Sequence, residues 1–348
     1  MKFRRTHSAL VAFGLLSCCI NVNADDQVLQ YGSKKLLRGT LGKMTKDFVE
    51  LKPRTGAVQK IPSDTIRRIR FNGEKNELNL ARSSEESGLL DKALERYTSV
   101  VGSLKPAAKK DTEFLIARTK CRMALADPTK VEDAIASMQA ALAKNSTGFR
   151  YYECLMWLGR VHVAKADYPT AQTRFDALGQ SPMKSHQMTS KVAIGQLLLA
   201  QDKPAEAQTS FEQVVAMQAG STAETASRYE AVLGKAKCQQ LQQDYAAALK
   251  SLDSIIANTD PAEAGELHAR AHVQRGDCFS DQQNAKNAVM AYLHVDVITE
   301  YSRAKGAHAE ALFKLSQLWA AAGRPERGSE AAAKLKKLYP NNNWTKKL

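Results

Sequence analysis

Two histidines have the clearest spacing for metal chemistry in this chain. His268 and His272 lie four residues apart in a stretch of helix-forming residues, so both imidazoles would share one helix face. No glutamate completes the H-E-x-x-H pattern of zinc proteases, and no third ligand is evident nearby. We therefore expect a polar helix face around Arg270 rather than a metal site.

The cysteines offer a second kind of chemistry. Four of the six follow residue 24, namely Cys121, Cys154, Cys238 and Cys278, and none forms a C-x-x-C pair. Cys238 and Cys278 occupy equivalent positions of neighbouring repeats, so a disulfide between them is one alternative. Packed helices lie about 8–10 Å apart, which is wide for such a bridge. We favour the other alternative, in which all four are small buried side chains.

Motifs of the common enzyme classes are missing from the sequence. There is no G-x-S-x-G elbow, no phosphate-binding loop, no dinucleotide fingerprint and no recognisable pair of carboxylates. We therefore expect a protein that is not an enzyme and that needs neither a cofactor nor a metal.

One spacing of small residues recurs through most of the chain. Gly276 precedes Ala288 by twelve residues, and the large residues Tyr292 and Val295 follow four and seven positions after Ala288. Small residues at this spacing let two antiparallel helices approach closely, and the larger ones fill the groove beside the crossing. The pattern predicts a helical hairpin. We call the second small residue of each copy its anchor; the anchors are Ala93, Ala134, Ala171, Ala207, Ala248, Ala288 and Gly328.

This pattern resembles the tetratricopeptide repeat family, which has small residues at its eighth and twentieth positions and a large one at its twenty-fourth. The anchors are 36 to 41 residues apart, longer than the usual 34, as in repeats of bacterial envelope proteins. The resemblance covers residues 73–340 and implies a mainly α fold, an α-solenoid of about seven helical hairpins. Residues 341–348 would form a short C-terminal tail.

Residues 25–72 have a different character. Short, partly alternating segments are separated by Gly39, Gly42, Gly56 and Pro62, which predicts a small, strongly curved sheet or a partly open barrel. The segments around residues 38–41, 48–51 and 66–69 resemble small Sm-like barrels. We therefore expect a small β-barrel-like module that packs on the end of the solenoid.

The first 24 residues resemble an export signal. A charged start is followed by an apolar run over residues 9–20 and by the small exit residue Ala24. We expect cleavage after Ala24; the alternative is a lipoprotein signal with Cys18 as the acylated residue. No later stretch of the sequence has the length of a membrane span, so we expect an exported periplasmic or envelope-associated protein.

The positive charge is concentrated in the β module. The chain carries a net charge of +14, and residues 30–72 hold eleven Lys and Arg against three acidic residues. Such a surface attracts an anionic envelope polymer or a lipid surface. Nucleic acid is disfavoured because the chain is expected to be exported and the module has few aromatic residues for base stacking. The candidate basic patch comprises Lys34, Lys35, Arg38, Arg67, Arg68 and Arg70.

The resemblance also implies where a partner protein would bind. In tetratricopeptide proteins the first helices of successive hairpins line a concave groove. Its ninth positions fall here on Arg160, Gln196, Lys237, Asp277 and Gln317, and its fifth positions on Met156, Val192, Leu233, Val273 and Phe313. The alternating charges of the ninth row differ from the basic clamp with which chaperone-binding members hold a C-terminal carboxylate.

Two functions follow from these features. The favoured one is a non-catalytic periplasmic or envelope scaffold that binds a partner protein through the groove. The alternative is a module that binds an anionic envelope polymer or membrane surface through the basic β module.

Overall fold

The computed structural model describes residues 25–340 and 342–348. The predicted signal peptide, including the alternative at Cys18, lies outside the described residues. No helix within the described residues is long and apolar enough to cross a membrane.

The N-terminal part is an antiparallel sheet of five strands in the order β4-β3-β2-β1-β5. The strands are β1 (Asp26–Gln30), β2 (Leu36–Met44), β3 (Phe48–Lys52), β4 (Gln59–Pro62) and β5 (Ile66–Arg70). The edge strands β4 and β5 do not pair, so the sheet is open and does not close into a barrel. Leu104, Ala108 and Phe149 of the helical part cover its apolar face instead, around Val28 and Val49.

The rest of the described chain forms a solenoid of seven helical hairpins, as the anchors predicted. The helices are α1 (Asn76–Glu86), α2 (Leu90–Val101), α3 (Pro106–Ala124), α4 (Val131–Lys144), α5 (Tyr151–Ala164), α6 (Tyr168–Gly179), α7 (Lys184–Ala200), α8 (Pro204–Ala216), α9 (Thr222–Leu241), α10 (Tyr245–Asn258), α11 (Pro261–Asp281), α12 (Ala285–Val297), α13 (Lys305–Ala321) and α14 (Pro325–Leu338). Every anchor is buried, in the second helix of its hairpin.

In three of the hairpins a large ring faces a glycine. A Cβ added to Gly159 would lie 2.2 Å from the ring of Phe175, so only glycine fits at this crossing. The ring of Phe211 is enclosed on two sides, because a Cβ on Gly195 would lie 2.6 Å from it and a Cβ on Gly234 of the next hairpin 2.3 Å. The small and large positions of the sequence pattern thus meet directly.

The turn inside six of the described hairpins contains one left-handed residue. In two of them this residue is glycine, Gly88 and Gly323, whereas Ala166 adopts the same conformation with φ of 62°. A side chain with a Cβ is strained in that region. The other three left-handed turn residues are Asp202, Gln243 and Gln283.

We expected the sheet to pack on the end of the solenoid. It lies along the edge of the solenoid instead. Lys46 lies over the ring of Tyr151 at the start of α5, 3.6 Å from its centroid. Ser185, in the first turn of α7, donates a hydrogen bond to Asp64 at 2.5 Å. Together with the packing of Ala108 on the sheet, these contacts hold the sheet beside the N-terminal ends of α3, α5 and α7.

The two ends of the solenoid touch. Lys305, at the start of α13, donates a hydrogen bond to the carbonyl oxygen of Ser87 at 3.0 Å. Asn343, beyond α14, donates one to the carbonyl oxygen of Ala126 at 3.1 Å. The superhelix therefore curves far enough to bring its seventh hairpin back to the first two.

Candidate partner-binding groove

The first helices of four consecutive hairpins enclose a cleft of about 570 Å³. One cleft reaches from α5 to α11, which shows that these helices line the concave side of the superhelix. Its walls carry apolar side chains and six polar ones. Besides two small hydroxyl side chains, the polar residues are Arg160 on α5, Gln196 on α7, Glu230 on α9 and Arg270 on α11.

The charges in this cleft are not balanced. Arg270 donates to both carboxylate oxygens of Glu230, at 2.5 and 2.9 Å. Within the described residues, Arg160 has neither a carboxylate partner nor a hydrogen-bond acceptor. Its guanidinium carbon lies 5.3 Å from the ring centroid of Trp157. Burial lowers the pKa of Arg160, and the nearby Glu230 only partly opposes this effect.

The predicted ninth positions are split between the cleft and the region beyond it. Arg160 and Gln196 face the cleft. Lys237 donates to Gln240 at 3.1 Å. Asp277 accepts hydrogen bonds from Tyr292 at 2.7 Å and from a lysine of α13. Gln317 is exposed.

The predicted fifth positions are less accessible than a binding row requires. Val192, Leu233 and Val273 are only 6%, 4% and 5% exposed and belong to hydrophobic clusters between hairpins. Met156 and Phe313 are half-buried. This row therefore consists mainly of packing residues, with partly accessible side chains at its two ends.

Sequence reasoning missed the pair Glu230 and Arg270. Both lie six residues before the small residue of their first helix, Ala236 and Gly276, so they share one register position. Opposite charges at the same register of neighbouring hairpins were the signal that could have revealed the pair.

The candidate basic patch also divides into two groups. Arg67 and Arg68 both pair with Glu86 of α1, Arg67 at 3.5 Å. Lys34, Lys35, Arg38 and Arg70 are exposed. Arg38 on β2 and Arg70 on β5 both lie opposite Gln27 of β1, so they stand in one row across the sheet.

A smaller cavity of about 200 Å³ lies where the sheet meets α1 and α3. Its titratable groups are ion pairs: Arg118 donates to both carboxylate oxygens of Glu85 at 2.8 Å, and Arg150 donates to Asp111 at 2.8 Å. Burial would raise the pKa of Glu85, but its hydrogen bonds with Arg118 and Tyr97 and the charge of Arg118 outweigh burial and lower it. Glu85 is therefore held charged, and both arginines make structural ion pairs.

The two histidines of the predicted helix face lie in different surroundings. His268 contacts the hydroxyl of Thr259 at 2.6 Å, whereas His272 stacks on His294 of α12. Within the described residues, no group of three or more His, Cys, Asp or Glu is arranged to hold a metal ion.

The cysteines of the described chain are free and buried, so Cys238 and Cys278 are not joined. Burial raises the pKa of the Cys238 thiol to about 11 and that of Cys278 to about 12.

Two segments of the solenoid match models of the tetratricopeptide repeat family, residues 192–263 and residues 310–342. The solenoid is therefore of the tetratricopeptide type, as the sequence pattern indicated. A search among curated proteins finds no match.

Solved structures that are similar to this chain include the following three. PilW, a type IV pilus biogenesis factor, is 18% identical with a TM-score of 0.46, covering 70% of this chain and 99% of its own. A tetratricopeptide repeat protein from Parabacteroides merdae is 13% identical with a TM-score of 0.49, covering 78% and 95%. Pseudomonas aeruginosa PilF is 15% identical with a TM-score of 0.34, covering 78% and 94%.

Proposed function

Because the helical part is a tetratricopeptide solenoid, we propose that this protein is a non-catalytic scaffold of the cell envelope. It binds a segment of a partner protein in the concave groove. Solenoids of this kind present extended concave surfaces to their partners. The cleft between α5 and α11 is a part of the groove with room for side chains of a partner.

The observation that carries this proposal is the unpaired Arg160. A partly buried guanidinium loses hydration, and it gains stability when a carboxylate forms two parallel hydrogen bonds with it. Glu230 is already held by Arg270, so an acid from outside the chain is the fitting partner for Arg160. Val163 and Leu197 line the same cleft and suit aliphatic neighbours of that acid. The partner segment would therefore carry Asp or Glu among apolar residues.

Capture of the partner from envelope extract tests this function. Arg160→Glu reverses the charge in the cleft, and Lys286→Glu makes the same change at an exposed position of α12. We expect wild type and Lys286→Glu to retain one discrete protein that Arg160→Glu loses at least tenfold. A segment held partly by apolar contacts should also remain bound in high salt. Equal retention by all three proteins would contradict binding of the partner through the groove.

The envelope location rests on the sequence of residues 1–24 and is part of the proposal. Expression of the full chain in a bacterium, followed by mass measurement of the exported product, tests it. A mature chain that begins at Asp25 supports signal cleavage. A diacylated product that begins at Cys18 supports the lipoprotein alternative, and a full-length cytoplasmic product contradicts both.

One observation favours a second candidate function, which is binding of an anionic polymer or membrane surface. Arg38 and Arg70 flank Gln27 on the exposed face of the sheet, and no carboxylate of the described residues pairs with either arginine. Cosedimentation with vesicles of anionic and of neutral lipids, at low and high salt, tests it. Binding to anionic vesicles that high salt or the double change Arg38→Glu, Arg70→Glu abolishes would support this function. Unchanged binding of that variant would contradict it.

A further inference from the structure

Residues 342–348 fold back onto the inner face of the last hairpin. The ring of Trp344 lies 5.1 Å from the ring of Phe313, with 34° between the two planes. Thr345 donates a hydrogen bond to the carbonyl oxygen of Tyr339 at 2.6 Å, and Asn343 reaches the carbonyl oxygen of Ala126 on the far side. We call residues 342–348 the tail. Its Trp344 covers Phe313, which the sequence pattern placed in the groove.

Phe313 differs from its counterparts in this respect. Val192, Leu233 and Val273 share its register and are buried between successive hairpins. At Phe313 the covering group is Trp344 of the tail. The register position is packing at these three residues and half-buried at Met156, whereas at Phe313 it is a surface that a short segment occupies.

The tail is held by few contacts. No residue of the tail is buried, and four of the seven are exposed. Apart from the hydrogen bonds already described, its apolar contact is made by the half-buried Trp344, which stacks on Phe313 at the edge of the last hydrophobic cluster. A permanent cap would bury its anchoring side chains fully, whereas this segment has no buried residue of its own.

The tail presents an aromatic ring together with a positive charge. The ammonium of Lys347 lies 4.2 Å from the centroid of the Trp344 ring. Glu310 precedes Phe313 by less than one turn of α13 and is half-buried. Burial and the charge of Asp277 raise the pKa of Glu310, and the charges of Lys314, Lys237 and Lys347, in decreasing order, partly oppose this shift. The surface thus combines an aromatic platform with a carboxylate that lacks a close ion pair within the described residues.

We propose that Phe313 and Glu310 form a subsite for an aromatic side chain close to a lysine or arginine, and that the tail fills this subsite until a partner segment of the same chemistry displaces it. The proposal rests on the proposed function, because it names a second contact of a partner in the same groove. It lies in the distal half of the groove, whereas Arg160 lies in the proximal half.

A peptide with the sequence of residues 340–348, labelled with fluorescein, is the probe. The full chain is compared with Trp344→Ala, which empties the subsite. Trp319→Ala is the matched control, since it removes a tryptophan of α13 that packs under Arg327 instead. In the wild type the attached tail competes at an effective concentration on the order of millimolar. We therefore expect Trp344→Ala to bind the peptide at least tenfold more tightly than the wild type or Trp319→Ala.

Further changes locate the peptide. In the Trp344→Ala background, Phe313→Ala and Glu310→Lys should each weaken binding at least fivefold, and Glu310→Lys does so by reversing a charge while the aromatic ring stays in place. A peptide with serine in place of its tryptophan, or with glutamate in place of both lysines, should bind at least tenfold more weakly. Circular dichroism checks that each variant is folded.

Three results would overturn the proposal. They are equal binding by wild type and Trp344→Ala, binding that neither Phe313→Ala nor Glu310→Lys changes, and no binding to Trp344→Ala at about 1 mM peptide. Wild-type oligomers that Trp344→Ala abolishes would show that the tail occupies a second copy, and would overturn the intramolecular placement.

Arg160→Glu should leave peptide affinity unchanged, so this proposal and the Arg160 function can fail separately.

Discussion

The imidazole rings of His272 and His294 are stacked, with centroids 4.8 Å apart and planes 5° from parallel. His272 is buried, and its Nδ1 has no hydrogen-bond partner within the described residues. Burial, followed by the charges of His294, Arg275 and His268, lowers the pKa of His272 to about 3. A proton on the His272 ring would therefore be buried close to other positive charges, such as that of Arg275.

The first prediction concerns acid. The unfolded chain protonates His272 near pH 6.5 and the folded chain only near pH 3, so stability is complete above pH 6.5 and falls below it. At pH 5 this histidine should cost about 2 kcal/mol of unfolding free energy. Urea unfolding of wild type and His272→Phe at pH 7.5 and pH 5 measures the loss.

The control for this prediction lies within the chain. Burial also lowers the pKa of His186, which is present in both proteins and contributes equally to each. The difference between the two proteins therefore reports His272 alone. An identical loss of stability in both would contradict the account of the stacked pair.

The second prediction concerns the interlock of Gly159 and Phe175. Alanine normally stabilises a helix by up to about 1 kcal/mol relative to glycine. At Gly159, however, the new methyl would overlap the ring, and overpacking of this kind costs about 1–3 kcal/mol. We expect Gly159→Ala to be destabilising in urea unfolding and the added change Phe175→Leu to recover part of the loss.

The matched control is Gly306→Ala in α13. A Cβ at Gly306 would meet no heavy atom within 4 Å, so this variant should be neutral or slightly stabilised. Equal effects at Gly159 and Gly306 would show that the Phe175 ring moves aside without lowering the free energy of unfolding.

The third prediction concerns the left-handed turn residue Ala166. Its φ of 62° strains an alanine by roughly 1–2 kcal/mol. Glycine relieves this strain, but its more flexible unfolded state offsets part of the gain in stability. We expect Ala166→Gly to raise the unfolding free energy by about 1 kcal/mol. Lys165→Gly serves as the control, because Lys165 has the ordinary φ of −80° and should lose stability. A loss at both positions would contradict the strain at Ala166.

The fourth prediction concerns the joint between sheet and solenoid. Arg82 donates to Glu74 at 2.6 and 2.9 Å and to the carbonyl oxygen of Ile69 at 3.1 Å, and both side chains of the ion pair are almost fully buried. Arg82→Met leaves Glu74 without its cation and should cost about 3–5 kcal/mol, measured by urea unfolding.

Two further variants test the origin of that loss. Adding Glu74→Gln should restore part of it, because the buried charge is then removed. Arg324→Met breaks the exposed pair with Glu326 and should change stability by less than about 1 kcal/mol. Similar losses for Arg82→Met and Arg324→Met would contradict the role of burial.

The sequence predicts the hairpins well because their signal is local and repeated. Ala171 and Phe175 lie on one helix, and Gly159 lies twelve residues before the anchor, so the periodicity alone places them together. It could not show that Val192 is buried, because that depends on how closely the next hairpin approaches. The sheet was expected to be barrel-like, since its short strands do not reveal that Phe149 and its neighbours cover the apolar face.

The groove was harder to predict than the fold. Arg160 was found from its register, but its lack of an ion pair depends on Arg270 already holding Glu230. The stack of Trp344 on Phe313 joins residues that no periodicity relates. Contacts of this kind follow from the curvature of the whole superhelix and have no local pattern.

The ring of Phe211, enclosed by Gly195 of its own hairpin and Gly234 of the next, also bears on how the solenoid comes apart. In a repeat protein each unit depends on its neighbours, so cooperativity is set joint by joint. The Phe211 ring packs in two hairpins at once. Neither hairpin can therefore unfold while the other keeps its structure around that ring. Fraying from either end would stop at α7–α9, which would be the last segment to lose its hydrogen-exchange protection.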